Sequence, residues 1–598
     1  MRAPGRFALT TASLLGSILW TGAAKAATLY FDAAGGNQNW DQLTTAAWSA
    51  VSGGPYNLTW GAGLGTDAVF EGTGGSVTIQ ALAPASVTSL AFGTSGAQPY
   101  TLSGAALNLA PAGSITTTTN ASISSAITGA VTSLMKNGAG TLTFDGAKTY
   151  TGATTVAAGQ LVLNNASGFV SATTVNSGAT LTFTGTSSVS AAAPVTLNDG
   201  ARLENINPSA ATTLTGAVTA SGNTSITVNQ TSGGGRGLIL DGGLKGSGTV
   251  TINAVNAGNA VCLRNHNSTF ARTLVINGIA SSAAGAGSGL ALGGAATSNA
   301  LINANVVLNG TIELADQGMG WANLWFTSVF NIGALSGTGI MVANRNPTGN
   351  FGSTIVLGHT NDDGLFSGRI MRGSGRTNTV GVTKVGTGTQ IFSGANTYTG
   401  ATNVNVGVLN IRHNTALGTT AGGTRVASGA ALQIEGDIAV GAEGLTLNGT
   451  GIANDGRLRN MSGTNSYAGP NTLGSAVRIN SDAGMLTLGT ITGATQNLTL
   501  GGAGGSTITG DVGITSGTLT KDGSGTAILS GTNTYTGATN IQGGTLQAGA
   551  AAGGRAFGTL SAVTLADVGG ATLALDGFSQ TIGSLGGGGA AGGNGTGG

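Results

Sequence analysis

A single cysteine, Cys262, rules out an intramolecular disulfide, so packing and backbone hydrogen bonding must hold this chain together. Charge is equally scarce. The 22 Lys+Arg and 21 Asp+Glu make up 7% of the residues, against roughly 25% in an ordinary soluble domain. A net charge of +1 removes the electrostatic case for binding nucleic acid or an anionic membrane surface, because both need clustered cations. Glu and Lys, which favour helices, are few, and no long stretch carries apolar residues at helical spacing. Long apolar runs are missing apart from Phe7–Leu19. That run follows Arg2 and Arg6 and precedes Ala24-Lys25-Ala26, the layout of a secretory signal cleaved after Ala26. It is shorter than the roughly 20 apolar residues needed to cross a bilayer as a helix. Residues 1–26 are therefore expected to direct export, with no transmembrane segment left after cleavage.

What the chain does have is glycine, 109 of them, and 40% hydrophobic residues. Disorder usually requires low hydrophobicity and high net charge, and neither holds. Apolar residues alternate over four to six positions and then meet Gly, Asn or Asp, as in Leu142/Phe144 before Asp145-Gly146 and Leu161/Leu163 before Asn164-Asn165. Period-two alternation closed by turn residues is a half-buried strand. The same pattern recurs at Leu181/Phe183, Leu432/Ile434 and Leu498/Leu500, so the whole chain reads as strand and turn.

Three segments, 136–161, 384–409 and 521–546, align without a gap. Each opens on a lysine (Lys136, Lys384, Lys521) and carries a T-Y-T-G-A-T core with its tyrosine (Tyr150, Tyr398, Tyr535) and glycine (Gly152, Gly400, Gly537) in fixed register. A glycine also follows each tyrosine by nine residues (Gly159, Gly407, Gly544). Identical spacing in separated copies marks a stacked unit that buries its core against its neighbours. The tyrosines read as packing or corner residues, and Gly152 as a corner with φ > 0. Rungs of roughly 20–25 residues would give about 25 turns and a rod on the order of 120 Å long. Asn and Thr stacked like on like would form side-chain ladders on it.

Residues 27–75 concentrate Tyr30, Phe31, Trp40, Trp48, Tyr56, Trp60 and Phe70. They read as an aromatic-rich N-terminal cap over the first rungs, with sugar stacking on the tryptophans as the other possibility. Residues 76–585 would form the solenoid, least regular over 200–380 around Trp321–Phe326, and 586–598 a Gly-rich flexible end.

With the repeats in view, the chain resembles the autotransporter-associated β-strand repeat family, whose unit is the passenger-associated transport repeat. Lys136/Gly138/Gly140/Thr141 and their counterparts after Lys384 and Lys521 fit its K-x-G-x-G-T opening. The resemblance implies an all-β, right-handed parallel β-helix displayed on or released from a Gram-negative-type cell, with the export machinery as a partner. Relatives often carry a C-terminal barrel. Residues 547–598 lack its series of strands about ten residues long, so a fragment is the favoured expectation.

Catalysis would need carboxylates facing one cleft. The densest candidates are Asp362-Asp363, in an Asn-Asp-Asp-Gly turn, and Glu435 with Asp437, which share a strand parity but have no evident basic partner. His266, His359 and His413 are isolated, and Arg264-Asn265-His266 beside Cys262 is the one mixed cluster with a thiol. Cys262 itself reads as a small buried hydrophobe, with a reactive thiol as the alternative. No metal, cofactor or catalytic motif emerges. The primary expectation is a non-enzymatic passenger or scaffold whose candidate partners are glycans or cell-surface components. The alternative is a carbohydrate-active β-helix enzyme with its site in 200–380.

Overall fold

The computed structural model describes residues 27–587, apart from 33–37, 41–47, 55–65, 73, 81–84, 94–98, 130–132, 167, 209, 232–236, 264–267, 281–287, 293–296, 315–328, 344–351, 374–378 and 550–552. The signal reading at 1–26, and the readings on Tyr56, Trp60, Arg264-Asn265-His266 and Trp321–Phe326, lie outside the described residues.

Short strands wind into a parallel β-solenoid of about 20 turns. One ladder of strands runs from Gln38–Trp40 to Ser584–Gly587, and further sheets over 27–246, 189–372 and 439–574 close the other sides. Rung length is uneven along the chain. Inside the repeats Leu134 faces Thr154 and Leu142 faces Leu161, a rung of about 20 residues. In the middle of the chain rungs lengthen, so that Asn309 bonds to Asn277 across 32 residues. At ~4.8 Å per turn the rod is on the order of 100 Å long.

Alternation dictates which residues enter the core, because successive side chains of a strand point to opposite faces. One inward column, read rung by rung, is Tyr100, Ala121, Leu142, Leu161, Leu181, Leu203, Ile226, Ile252, Ile276 and Leu308, every member buried. Outward rows are short and polar. Thr155, Thr174, Thr196 and Thr219 occupy consecutive rungs. Asn253, Asn277 and Asn309 form a ladder with amide-to-amide bonds of 3.0 and 3.1 Å.

At the N-terminal end the pairing changes direction. Trp48–Ser49 lies antiparallel to Tyr30–Phe31, whereas the other strand pairings among the described residues are parallel. This strand covers an edge that would otherwise remain free. Phe31, Phe70 and Phe92 stack in successive rungs beneath it, and Trp40, Trp48 and Tyr100 close around them. Trp40 and Trp48 are buried, which takes both away from the sugar-stacking reading.

Among the side chains that reach across a rung to the one beyond, as Asn305 does to Thr360 and Asp362, two pass over a glycine. Gln390 passes Gly364 and donates to the carbonyl of Leu335 at 2.7 Å, while the amide of Leu335 donates back at 3.1 Å. A Cβ on Gly364 would lie 2.7 Å from Oε1 of Gln390, so the glycine is the opening through which it passes. Arg478 crosses Gly501 in the same way to a bidentate pair with Asp522 at 2.6 and 2.9 Å.

Candidate functional surface

The repeated lysines sit inside the rod. Lys136 occupies the inward column between Ile115 and Val156, Lys384 lies between Leu357 and Val404, and Lys521 between Leu500 and Ile541. All three are buried. Each ammonium turns out of the apolar column into a cage of carbonyls at a corner. For Lys136 these are Asn137 and Gly138 on its own rung and Ala158 on the next, at 2.9, 2.8 and 2.9 Å. Lys384 meets Val385, Gly386 and Val406, and Lys521 meets Asp522, Gly523 and Gly543. Three acceptors match the three N–H donors of an ammonium, so the side chain staples one corner to the next. Burial lowers each lysine from the ordinary value of 10.5 to about 8, which leaves it charged at neutral pH. Strand parity with Leu134 was the signal that puts Lys136 inside.

The tyrosines are buried beside these corners and donate to or accept from a threonine four residues on, at 2.8, 2.7 and 2.9 Å for Tyr150–Thr154, Tyr398–Thr402 and Tyr535–Thr539. Gly152, Gly400 and Gly537 do not lie in the left-handed region, which corrects the expected φ > 0 at Gly152. Close approach is what requires glycine here: a Cβ on Gly400 would sit 2.7 Å from the carbonyl of Val380 one rung back. The left-handed corner falls instead on Gly159, Gly407 and Gly544, with φ of 66, 69 and 63°. At Gly159 a Cβ would also lie 2.5 Å from the carbonyls of both Gly138 and Gly140. Gly159→Val is therefore expected to cost at least ~2 kcal/mol locally, the sum of a left-handed penalty and a clash. Hydrogen exchange should show this as lost protection over 134–184 with distant turns unchanged.

The acidic candidates separate. Asp362 accepts from the Asn305 amide two rungs back at 2.7 Å, and Asp363 accepts from the backbone N–H of Thr389 at 2.6 Å, so both carboxylates bind coil to coil. Asp437, at φ 58°, likewise accepts from the N–H of Thr464. Glu435 instead pairs with Arg412 at 3.0 Å, a basic partner one rung back that linear spacing did not reveal. His359 contacts Asn331, and His413 turns back on Thr415. Cys262 is buried against Ile239, Ala260 and Ala291 on the side of its sheet away from the main core.

Glu435 belongs to a strip that the sequence reading missed. Asn410, Gln433, Arg459, Asn480 and Gly501 follow one another in consecutive rungs on the side of the sheet away from the core, with Asp522 continuing the line; Gln433 and Arg459 are half-buried, whereas Asn410 and Asn480 are buried. Beside them lie Arg412–Glu435, Arg459–Asp482 at 2.6 Å and Arg478–Asp522, which with Arg459–Asp455 are the ion pairs among the described residues. Elsewhere the outer face offers mainly hydroxyls and short amides. Here planar amide, guanidinium and carboxylate groups line up along roughly 25 Å at the ~4.8 Å strand spacing. Among the described residues no group of three or more potential metal ligands converges, and no helix is long and apolar enough to cross a membrane.

The passenger-associated transport repeat model matches residues 134–163, 382–411 and 519–548, the three lysine-to-glycine units. The chain is also similar to the adhesin BmaC autotransporter of Brucella suis biovar 1 (strain 1330), 30% identical over 599 aligned residues. That alignment covers 97% of this chain and 16% of the relative's length. No solved structure matches. Three matched units, each stapled by its buried lysine into the same parallel solenoid, show that this chain carries passenger-associated transport repeats.

Proposed function

We propose that the chain is part of an adhesin-like passenger held at the surface of a Gram-negative bacterium, brought there by export machinery, and that it binds neutral glycans through the strip from Asn410 to Asp522. The relative's name as an autotransporter adhesin supports the first part. The strip carries the second. Sugars present vicinal hydroxyls, and planar side chains with paired donors and acceptors meet them two bonds at a time. Its guanidinium groups at Arg412, Arg459 and Arg478 are all paired with carboxylates of Glu435, Asp455, Asp482 and Asp522, which leaves no excess positive charge and favours a neutral partner over a polyanion. A rigid rod presenting one strip on each of many surface copies would turn weak contacts into useful avidity.

The test is a glycan array probed with the purified chain and with a variant carrying Arg412→Ala and Gln433→Ala. Surface pairs such as Arg412–Glu435 contribute at most ~1 kcal/mol, so the variant keeps its fold. At least tenfold weaker binding to a neutral glycan is expected. Equal binding by both proteins, or no neutral glycan bound by the parent, overturns the glycan assignment.

A further inference from the structure

The three copies of the repeat, otherwise alike, differ in what their tyrosine–threonine pair connects to. In the first copy Thr154 bonds to Ser171 at 2.7 Å, and Ser171 donates to the carbonyl of Gly152 at 2.6 Å. In the third, Thr539 bonds to Ser561 at 2.9 Å, and Ser561 donates to the carbonyl of Gly537 at 2.7 Å. Both networks end on hydroxyls and backbone, with nothing that gains or loses a proton near neutrality. The second copy departs from this. Thr402 stacks on Thr424 in the next rung, and Thr424 donates to Oε1 of Glu443 at 2.6 Å.

Glu443 is 2% exposed. Tyr398 faces it from the repeat's own corner, Thr424 from strand 424–426, and Tyr467 from strand 464–467. None of these carries positive charge, and the ion pairs among the described residues are all made by other carboxylates. A buried carboxyl among two phenols and a hydroxyl is stable in its neutral form, because burying an isolated carboxylate without a cation is costly.

We propose that Glu443 makes the turns from Tyr398 to Tyr467 an acid-tightened joint, closed while the carboxyl is protonated and loosened when it ionises. Burial raises the group from 4.5 to about 7, opposed in part by the Thr424 bond, which fits this geometry. The sign follows from linkage. Below pH 4.5 the carboxyl is protonated both in the folded corner and in the opened chain, so the joint has its full stability. Between 4.5 and about 7 the opened chain ionises first, and stability falls as pH rises. The joint is therefore tightest in acidic surroundings and weakest from neutrality upward. The equivalent corners of the other two copies, closed by serine, lack this response.

Hydrogen exchange on the full chain at pH 4.5 and 7.5, corrected for intrinsic rates, tests the proposal. Protection over 416–470 is expected to fall at least tenfold more at pH 7.5 than protection over 150–171 and 535–561. In Glu443→Gln the difference between the two pH values should vanish at 416–470. If that variant fails to protect the segment at either pH, Glu443→Leu is read instead. A pH response shared by all three corners, or one that persists in whichever variant folds, overturns the proposal.

Discussion

Phe70→Ala is expected to cost the first turns about 3–5 kcal/mol, the range for deleting a large aromatic from a packed core. Phe70 is the ring on which the N-terminal cluster converges. It lies 5.4 Å from Phe31, 5.7 Å from both Trp40 and Trp48, 5.3 Å from Tyr100, and stacks on Phe92 at 4.9 Å. No neighbour can fill the space without giving up its own contacts. A stacked rod has no single cooperative core, so the loss should appear as local opening rather than a shift of one global transition. Hydrogen exchange should report lost protection over residues 27–104 and near-UV circular dichroism a weaker aromatic signal, with turns beyond 384 unaltered. An unchanged pattern would mean that the aromatic cluster rests on the rod without closing it.

The second large effect is expected at the buried lysines, where two substitutions at one position should differ in size. Lys384→Ala removes an ammonium that three carbonyls share and leaves a void in a column flanked by Leu357 and Val404. Lost hydrogen bonding at buried groups costs ~1–3 kcal/mol and the cavity adds ~2 kcal/mol or more, so a total near ~4 kcal/mol is expected for the turns on either side. Lys384→Met fills the column and loses only the staple. Replacing a buried charge by an apolar side chain of like volume is often close to neutral, and this variant should lose less than half as much. Exchange protection over 353–426 measures both. Equal losses would show that the ammonium, not packing in the column, secures the corner.

Much of the fold was legible because alternation and repeat register are local properties of the chain. Leu142, Leu161 and Leu181 could be placed inside from parity alone, and they stack as consecutive partners. Parity with Leu134 would have put Lys136 inside too, but the sequence reading takes it only as the opening of the repeat, and its inward place emerges with the carbonyl cage. Turn length was less legible. Insertions such as those separating Asn277 from Asn309 add residues without adding a rung, and nothing local distinguishes a long corner from two short ones. The strip from Asn410 to Asp522 was hidden for the same reason: its members lie more than twenty residues apart and meet only once the register between turns is known. Gly152 shows the opposite error. A glycine in a turn suggested an unusual φ, whereas the three-dimensional constraint at its counterpart Gly400 is the neighbouring backbone one rung away.

The side chains that skip a rung bear on how this rod responds to tension. Pulled from one end, a stack bonded only between neighbours would unravel one coil at a time at nearly constant force. Gln390 fastens its coil to Leu335 with Gly364 trapped between them, and Arg478 with Asp522 does the same around Gly501. At such places three coils must yield together, so a stretching trace should show taller peaks there than where coils are bonded only to their neighbours.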